Sequence, residues 1–264
     1  MLANVCQAAA HCRPVLFFLK IYFAVEPLKP EQSFDFAAGE VLLVDKPPGW
    51  TSFDAVKKIR NLVKVKKVGH AGTLDPLATG LLIICTGKMT KQIAGFQAEE
   101  KEYTGTITLG ATTPSYDLET QPENFCDTAH LSIEQVKQAA SEFTGTIEQV
   151  PPVFSAIKVD GKRAYNLARN QQEAKMKPRQ VTVSEFSITR FELPEADFKI
   201  VCSKGTYIRS LAHDLGQKLG TGGYLSALRR NRSGSFSVED ALEPTQWAAV
   251  IKKRNTRPDT PDTD

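Results

Sequence analysis

Short apolar segments separated by turn residues recur along the chain from residue 41 onward. The apolar runs Val41–Asp45 and Leu81–Cys85 predict buried strands, and the alternation of apolar and polar residues in Glu102–Leu109 predicts a third strand. Further strands are predicted at Val153–Val159, Val181–Phe191, Phe198–Ser203 and Tyr224–Leu228.

Helical segments lie between these strands, and several begin at a residue that can cap a helix. Thr51 and Ser52 offer N-caps, with Asp54 in the first turn, for a helix that runs to about Lys64. Further helices are predicted near Lys88–Phe96, from Ser132 to Phe143 and from Thr206 to about Leu219, and the polar segment 158–177 predicts a helix and a mobile loop. Because strands and helices do not alternate strictly, the order predicts an α+β domain on a mixed sheet.

The two ends of the chain differ from the middle in composition. Residues 1–40 are predicted to be a poorly ordered extension, because the apolar run Val15–Val25 is interrupted by Lys20, is too short to span a bilayer and lacks the flanks of a signal peptide. The charged, proline-bearing residues 251–264 predict a disordered tail. Five cysteines without a CxxC pair indicate reduced thiols and a cytoplasmic location.

Basic residues are clustered, although the net charge is only +3. Six basic and no acidic residues lie between Lys57 and Lys67, and seven basic against two acidic residues lie in the segment 158–179. Arg229, Arg230 and Arg232 form a third cluster. Any one cluster is also typical of a solvated surface, but three in one chain favour a polyanionic partner, because phosphate binding is built from many such charges.

The stretch Gly69–Gly80, with the sequence GHAGTLDPLATG, is the most informative part of the chain. Its glycines allow unusual backbone angles and the close approach of a ligand. Pro76 biases Asp75 toward an extended backbone, which fixes the direction of the carboxylate. The phosphate-loop spacing, GxxxxGKS or GxxxxGKT, is absent. Taken alone, the Asp-Pro pair is also typical of an ordinary turn in which the aspartate caps a backbone amide.

The whole string resembles GHxGTLDPxAxG, the signature of the TruB family of pseudouridine synthases. The resemblance implies that Asp75 is the catalytic aspartate and that His70 contacts the substrate RNA near the flipped nucleotide. Leu43–Ser52 resembles the KPxGxTS motif of the family, which supports the catalytic loop. Pro151–Lys158 resembles the segment that leads into an RNA-gripping thumb loop. The resemblance extends from about Val41 to Trp247.

Other positions match residues that line the active site in the family. Tyr103 matches the tyrosine that stacks on the target base, and Leu228 matches a leucine of the uridine pocket. Tyr207 and Arg209 match the tyrosine and arginine that support the active site. The fold implied for residues 41–250, the pseudouridine synthase catalytic domain, is α+β with a mixed, largely antiparallel central sheet, flanking helices and a thumb loop.

The chain departs from the family pattern at three places. Thr113–Thr120 stands where the family often has TxTxDxxG, which leaves the loop near Ser115 without an assigned role. Phe154 replaces a common tyrosine. Because 17 residues follow Trp247, the C-terminal RNA-binding PUA domain of many members is expected to be absent.

The resemblance implies that the chain isomerises the uridine at position 55 in the T-loop of tRNA. That base must be flipped out of its loop, and Tyr103 is expected to stack on it. Asp75 can attack C1′ as a nucleophile or remove a C2′ proton, and both routes stay open. Arg209 is expected to hold the ionised Asp75 through paired hydrogen bonds, and Tyr207 to support proton movement when C5 loses its hydrogen. No cofactor and no metal is expected.

Three other functions stay open on the sequence. A guide-RNA-dependent pseudouridine synthase subunit shares the catalytic core but depends on a PUA domain and partner subunits. A non-catalytic RNA-binding or tRNA-folding protein would not need Asp75 and Arg209, and a glycosidase would need two carboxylates beside the bond it cleaves. The partner that we expect is the T-arm of tRNA. We also expect a monomer without an obligatory protein partner and without membrane association.

Overall fold

The computed structural model describes residues 34–155 and 176–255, with the backbone alone at 158–159, 162–163 and 254–255. Most of the segment 158–177, where a helix and a thumb loop are predicted, lies outside the described residues. So does the predicted extension up to residue 33.

One sheet of nine strands organises the described residues. The strands are β1 (Val41–Lys46), β2 (Val68–Ala71), β3 (Thr79–Thr86), β4 (Lys101–Leu109), β5 (Gly145–Gln149), β8 (Arg179–Glu192), β9 (Glu195–Cys202), β10 (Gly223–Ser233) and β11 (Phe236–Ser237), while β6 (Lys158–Val159) and β7 (Lys162–Arg163) pair separately. Their order in the sheet is β1-β3-β10-β4-β9-β8-β5, with β2 added on β3 and β11 on β10. Only β3 and β10 pair in parallel among these neighbours, so the predicted mixed, largely antiparallel sheet is confirmed.

The helices flank this sheet. They are α1 (Ser52–Val63), α2 (Ile93–Ala98), α3 (Ile133–Ser141), α4 (Ile208–Lys218) and α5 (Pro244–Asn255), with 3-10 turns at Gly87–Gln92 and Val238–Asp240. Helix α1 begins as predicted, because Thr51 accepts from the Asp54 backbone while the Asp54 side chain accepts from the Thr51 backbone. Helix α4 differs from the prediction: Tyr207 occupies its N-cap, and the Thr206 hydroxyl instead donates to the Ser203 carbonyl oxygen.

Two apolar clusters meet at the centre of the sheet. One joins α3 and α4 to the sheet through residues such as Ile107 and Leu211, and the other joins α1 and α5 to β1 and β3 through residues such as Ile59. Tyr103 on β4 and Leu228 on β10 pack against both clusters. The residues that match the family's base-stacking tyrosine and pocket leucine therefore lie side by side at the junction of the two clusters.

Several predicted boundaries are wrong. Val153–Ser155 forms a bend rather than a strand, because paired strand begins only at β6. The motif loop is shorter than Gly69–Gly80, since β2 takes its first residues and β3 its last. Strand β10 continues beyond the predicted Leu228, since it pairs with β4 as far as Ser233.

The folded unit also extends past both predicted ends. The Phe34 ring stacks on Phe36 at 5.1 Å and meets Trp247 edge-on at 5.9 Å, so ordered packing begins before residue 41. Helix α5 continues through residue 255 with Ile251 buried, so the tail predicted from 251 begins with helix. Within the part of the chain that the structure describes, no helix has both the length and the apolar character needed to cross a membrane.

Candidate active site

A cavity of about 540 Å³ opens between the loop after β2, strand β4, the start of α4 and strand β10. Its volume falls in the range of roughly 300–1,000 Å³ that is usual for small-ligand sites. Five of the six residues predicted for the site line it: Asp75, Tyr103, Tyr207, Arg209 and Leu228. His70 is not among the described residues that line the cavity; it lies half-buried on β2, where desolvation lowers the pKa of its imidazole.

Hydrogen bonds from the start of α1 and the turn before it hold the loop that carries Asp75. Ser52, which is buried, donates from its hydroxyl to the Leu74 carbonyl oxygen at 3.1 Å and accepts from the Leu74 amide at 2.8 Å. The Gly49 amide donates to the Pro76 carbonyl oxygen at 2.9 Å. Both neighbours of Asp75 are thereby fixed through their backbones, which leaves the carboxylate as the free end of a rigid turn.

Lys46 ties the two motif segments together. Its ammonium group is buried and donates to the carbonyl oxygens of Pro47, Trp50 and Pro76 at 3.0, 2.7 and 3.2 Å. Burial lowers the pKa of Lys46 to about 8, against the opposing charge of Asp75. The predicted support of the catalytic loop by the KPxGxTS segment is therefore visible as hydrogen bonds.

Arg209 makes its shortest contact with the Asp75 carboxylate through Nε. Its Nε lies 2.9 Å from Oδ2 of Asp75, as an ion pair rather than an in-line hydrogen bond. Its Nη1 donates to the Ser115 carbonyl oxygen at 3.0 Å and its Nη2 to the Phe154 carbonyl oxygen at 2.9 Å. The predicted paired contact with Asp75 is wrong, because two loop carbonyls occupy both ends of the guanidinium group.

A second carboxylate, which the sequence did not assign, faces the same guanidinium group. Oδ2 of Asp117 lies 3.6 Å from Nε of Arg209, and the Asp117 side chain is only 7% exposed. Ser115 shapes this loop by donating from its hydroxyl to the Asp117 carbonyl oxygen at 3.0 Å. The sequence does contain a pattern that could have identified Asp117, because Thr113, Ser115 and Asp117 keep the spacing of TxTxD with serine in place of the second threonine.

The electrostatic environment of Asp75 opposes its ionisation. Desolvation raises the pKa of its carboxyl group above the ordinary value, and the charge of Asp117 raises it further. Arg209 is the principal group that lowers it. The ionised form of Asp75 therefore depends on the guanidinium group of Arg209, which is itself almost fully buried.

Arg230, which the sequence assigns only to a basic cluster that favours a polyanionic partner, is a further residue of the cavity wall. It is 2% exposed and donates from Nε to the Leu81 carbonyl oxygen at 2.7 Å and from Nη2 to the Gly72 carbonyl oxygen at 3.2 Å. It also lies opposite Tyr103 in the sheet, where burial raises the pKa of the phenol and the guanidinium group opposes that rise. Its contacts thus join the loop that carries Asp75 to the strand of Tyr103.

The backbone of Arg230 also explains why Gly80, the last position of the motif, is a glycine. Gly80 has φ +99°, and a Cβ built there would lie 2.3 Å from the Arg230 backbone oxygen. Only glycine accepts both the backbone angle and the close approach.

The basic clusters are not equally available to a polyanion. Arg230 is buried, and Arg229 is paired with Asp45 at 2.7 Å, so the third predicted cluster is largely committed to internal contacts. On and after α1, by contrast, Lys57 and Lys58 are exposed, together with Lys64, Lys66 and Lys67. Arg179 covers the Tyr207 ring, with its guanidinium carbon 4.6 Å from the ring centre.

The sequence matches a family of known proteins and several of its members. Residues 60–208 match the N-terminal domain of TruB family pseudouridylate synthase, and residues 209–259 match the tRNA pseudouridylate synthase B C-terminal domain. The tRNA pseudouridine synthase B of Flavobacterium johnsoniae is 50% identical over 225 residues, which cover 83% of this chain and 98% of that protein. That of Bacteroides fragilis is 50% identical over 84% of this chain and 97% of its own length.

Solved structures resemble the fold as well. The crystal structure of a Cbf5-Nop10-Gar1 complex matches with a TM-score of 0.66 and 27% identity, over 87% of this chain and 63% of the matched chain. The archaeal box H/ACA sRNP Nop10-Cbf5 complex matches with a TM-score of 0.63 and 25% identity, over 84% and 56% of the two chains. The pseudouridine synthase fold expected from the motifs is confirmed. The chain belongs to the TruB family of pseudouridylate synthases.

Proposed function

We propose that this chain isomerises uridine to pseudouridine in tRNA, at position 55 of the T-loop, with Asp75 as its catalytic carboxylate. The observation that carries the proposal is the placement of Asp75 in a 540 Å³ cavity, 2.9 Å from the buried guanidinium group of Arg209. Relatives that are about half identical over most of this chain are tRNA pseudouridine synthases B. Five of the six residues that match site residues of the family line this one cavity.

The reaction breaks the C1′–N1 bond of uridine, turns the base and joins C5 to C1′. C5 then loses its hydrogen, and N1 gains one. Extruding the uridine from a folded loop costs a few kcal/mol. Stacking on an aromatic ring contributes roughly 1–3 kcal/mol per base, which can offset that cost. Tyr103, in the cavity wall beside Leu228, is the proposed stacking residue.

Asp75 acts in its ionised form in either route. As a nucleophile it adds to C1′ while N1 leaves, and as a base it removes the C2′ proton. Both need the negative charge that Arg209 stabilises against desolvation and against Asp117. Tyr207, at the cavity wall, is the proposed group for proton movement at C5. His70 is proposed to contact the RNA outside the cavity rather than the uridine itself.

The proposed substrate is the T-arm, and the proposed acting form is a cytoplasmic monomer without an obligatory partner or cofactor. Exposed lysines on and after α1, among them Lys57, Lys58 and Lys64, offer a surface for the phosphates of a folded RNA. The Cbf5 structures contain partner subunits, so activity of the purified chain alone separates this proposal from the guide-RNA-dependent one.

A tritium-release assay tests the proposal. The purified chain is incubated with a T-arm hairpin that carries uridine labelled with tritium at C5, because C5 gives up that hydrogen when it becomes bonded to C1′. We expect release of one tritium per hairpin when the uridine at position 55 alone is labelled. A hairpin that carries C5-labelled cytidine at position 55 should release none. Activity confined to ribosomal RNA would overturn the choice of substrate.

A further inference from the structure

Gln149 stands out because its amide is buried at the end of a largely exposed strand. Strand β5 mostly faces solvent, yet Gln149, its last residue, is 1% exposed. An amide is costly to bury unless its polar atoms find partners. Both polar atoms of Gln149 have a partner, and the two partners belong to one residue. Nε2 donates to the Tyr207 carbonyl oxygen at 3.0 Å, and Oε1 accepts from the Tyr207 amide at 2.8 Å.

The backbone that Gln149 holds is the starting point of α4. Tyr207 is the N-cap of this helix, and its own side chain makes no capping hydrogen bond. Its carbonyl oxygen also accepts from the Leu211 amide at 3.2 Å, which begins the first helical turn. Next to this contact, the Ser210 hydroxyl donates to the Val150 carbonyl oxygen at 2.8 Å. The end of β5 is therefore joined to the start of α4 at two successive residues.

The start of α4 carries two groups of the active site. The Tyr207 side chain lines the cavity, and Arg209, two residues later, faces Asp75. Gln149 itself is not among the described residues that line the cavity. Whatever Gln149 contributes to the reaction is therefore transmitted through the position of α4.

We propose that Gln149 is a positioning residue for the isomerisation, whose amide fixes the start of α4 so that Arg209 meets Asp75 and the Tyr207 ring lies in the cavity wall. This inference rests on the proposed function. Nε of Arg209 lies 2.9 Å from Oδ2 of Asp75, so a displacement of the helix start lengthens this contact. Misplacement of a catalytic group by about 1 Å can cost on the order of a hundredfold in rate.

The substitution Gln149→Glu tests the proposal through pH. A neutral carboxylic acid reproduces the amide, because it donates from one oxygen and accepts at the other, whereas an ionised carboxylate only accepts and faces the Tyr207 carbonyl oxygen with a charge. Burial raises the pKa of such a glutamic acid above its ordinary value of about 4.3. The variant should therefore approach wild-type activity at low pH and lose it as pH rises.

We measure single-turnover tritium release and tRNA affinity for both proteins from about pH 5.5 to 8. At low pH, where the variant side chain is neutral and Arg209 keeps its contact with Asp75, the ratio of variant to wild-type rate removes the effect of Asp75 ionisation, which the two proteins then share. We expect this ratio to be lower by on the order of a hundredfold at the highest pH and to recover toward the lowest, with Kd for tRNA within about threefold throughout.

Gln135→Glu is the matched control, because Gln135 accepts from the Ser132 amide in the capping box of α3, where glutamate does the same. Its rate ratio should not change with pH. A flat ratio for Gln149→Glu would overturn the proposal, as would circular dichroism showing that this variant unfolds when the ratio falls. A wild-type chain that releases no tritium would instead contradict the proposed function.

Discussion

Two arginine–carboxylate clusters, one on strand β8 and one on helix α4, differ in what holds the arginine. Arg190, on β8, pairs with Glu192, Glu195 and Asp197 at 2.6, 3.0 and 2.6 Å, and its side chain is 46% exposed. Arg209, on α4, has one carboxylate at 2.9 Å and another at 3.6 Å, and its side chain is 4% exposed. The exposed arginine has more ion pairs, and two of them are shorter than either pair of the buried arginine, but the buried one is also fixed by two backbone carbonyls.

The difference shows that the number of ion pairs an arginine makes is a poor guide to how much it contributes to stability or to the site. Solvent screens the Arg190 cluster, and its long side chains lose entropy when they are held in one geometry, so such pairs contribute little. The guanidinium group of Arg209 cannot leave its carbonyl partners without stranding buried polar atoms. Its position is therefore set by the fold, and Asp75 meets a charge that is already in place.

The largest expected effect comes from removing the carboxylate that Arg209 faces. Asp75→Asn keeps the size of the side chain and loses its charge, so neither the nucleophilic nor the proton-abstraction route remains. We expect single-turnover pseudouridine formation to fall by at least about a thousandfold, with tRNA binding retained. A variant prepared free of wild-type enzyme that keeps a substantial rate would remove Asp75 from the mechanism.

Arg209→Lys is the next largest change. Lysine keeps the charge, but a single ammonium group cannot serve Asp75 and the carbonyl oxygens of Ser115 and Phe154 together. We expect the rate at saturating RNA to fall on the order of a hundredfold. Arg190→Lys is the matched control and should leave the rate unchanged. Near-normal turnover of Arg209→Lys would contradict the assigned role.

Asp117→Asn should change the pH dependence more than the maximal rate. The charge of Asp117 raises the pKa of Asp75, so its removal lowers that pKa and enlarges the ionised fraction of Asp75 at any acidic pH. The acid limb of the pH–rate profile should therefore move to lower pH. A limb that stays in place or moves upward, measured under single-turnover conditions, would show that Asp117 does not act on Asp75 by its charge.

The smallest effect is expected at the surface cluster. Arg190→Ala removes all three ion pairs, but each is exposed and screened. We expect unchanged activity and a shift in Tm of less than about 3 °C in a thermal melt at moderate salt. A large loss of stability or activity would mean that exposed ion pairs matter here as much as the buried cluster.

Local patterns predicted the elements and the motif residues well. Alternation along β4 predicted its extent to within one residue, and the Thr51 cap predicted the start of α1. The motif around Asp75 identified the loop, and the family match placed Tyr103 and Leu228, which line the cavity with it. These features depend on neighbours in sequence or on short motifs of the family.

The remaining parts of the site depend on contacts between distant segments. Asp117 reaches Arg209 across 92 positions, and Gln149 holds Tyr207 across 58. Arg230 reads in sequence like Arg229 and Arg232 beside it, and only the pairing of β10 between β3 and β4 buries it. The orientation of the Arg209 guanidinium group likewise follows from where two loop carbonyls lie, which no local pattern specifies.

Mapping pseudouridine in cellular tRNA tests the central claim most directly. The gene for this chain is deleted from its source organism, the strain is complemented with the wild-type or the Asp75→Asn sequence, and position 55 of tRNA is examined for pseudouridine in each strain. We predict uridine at position 55 in the deletion strain, pseudouridine after wild-type complementation, and uridine with Asp75→Asn. Pseudouridine that persists in the deletion strain, or returns with Asp75→Asn, would contradict the claim.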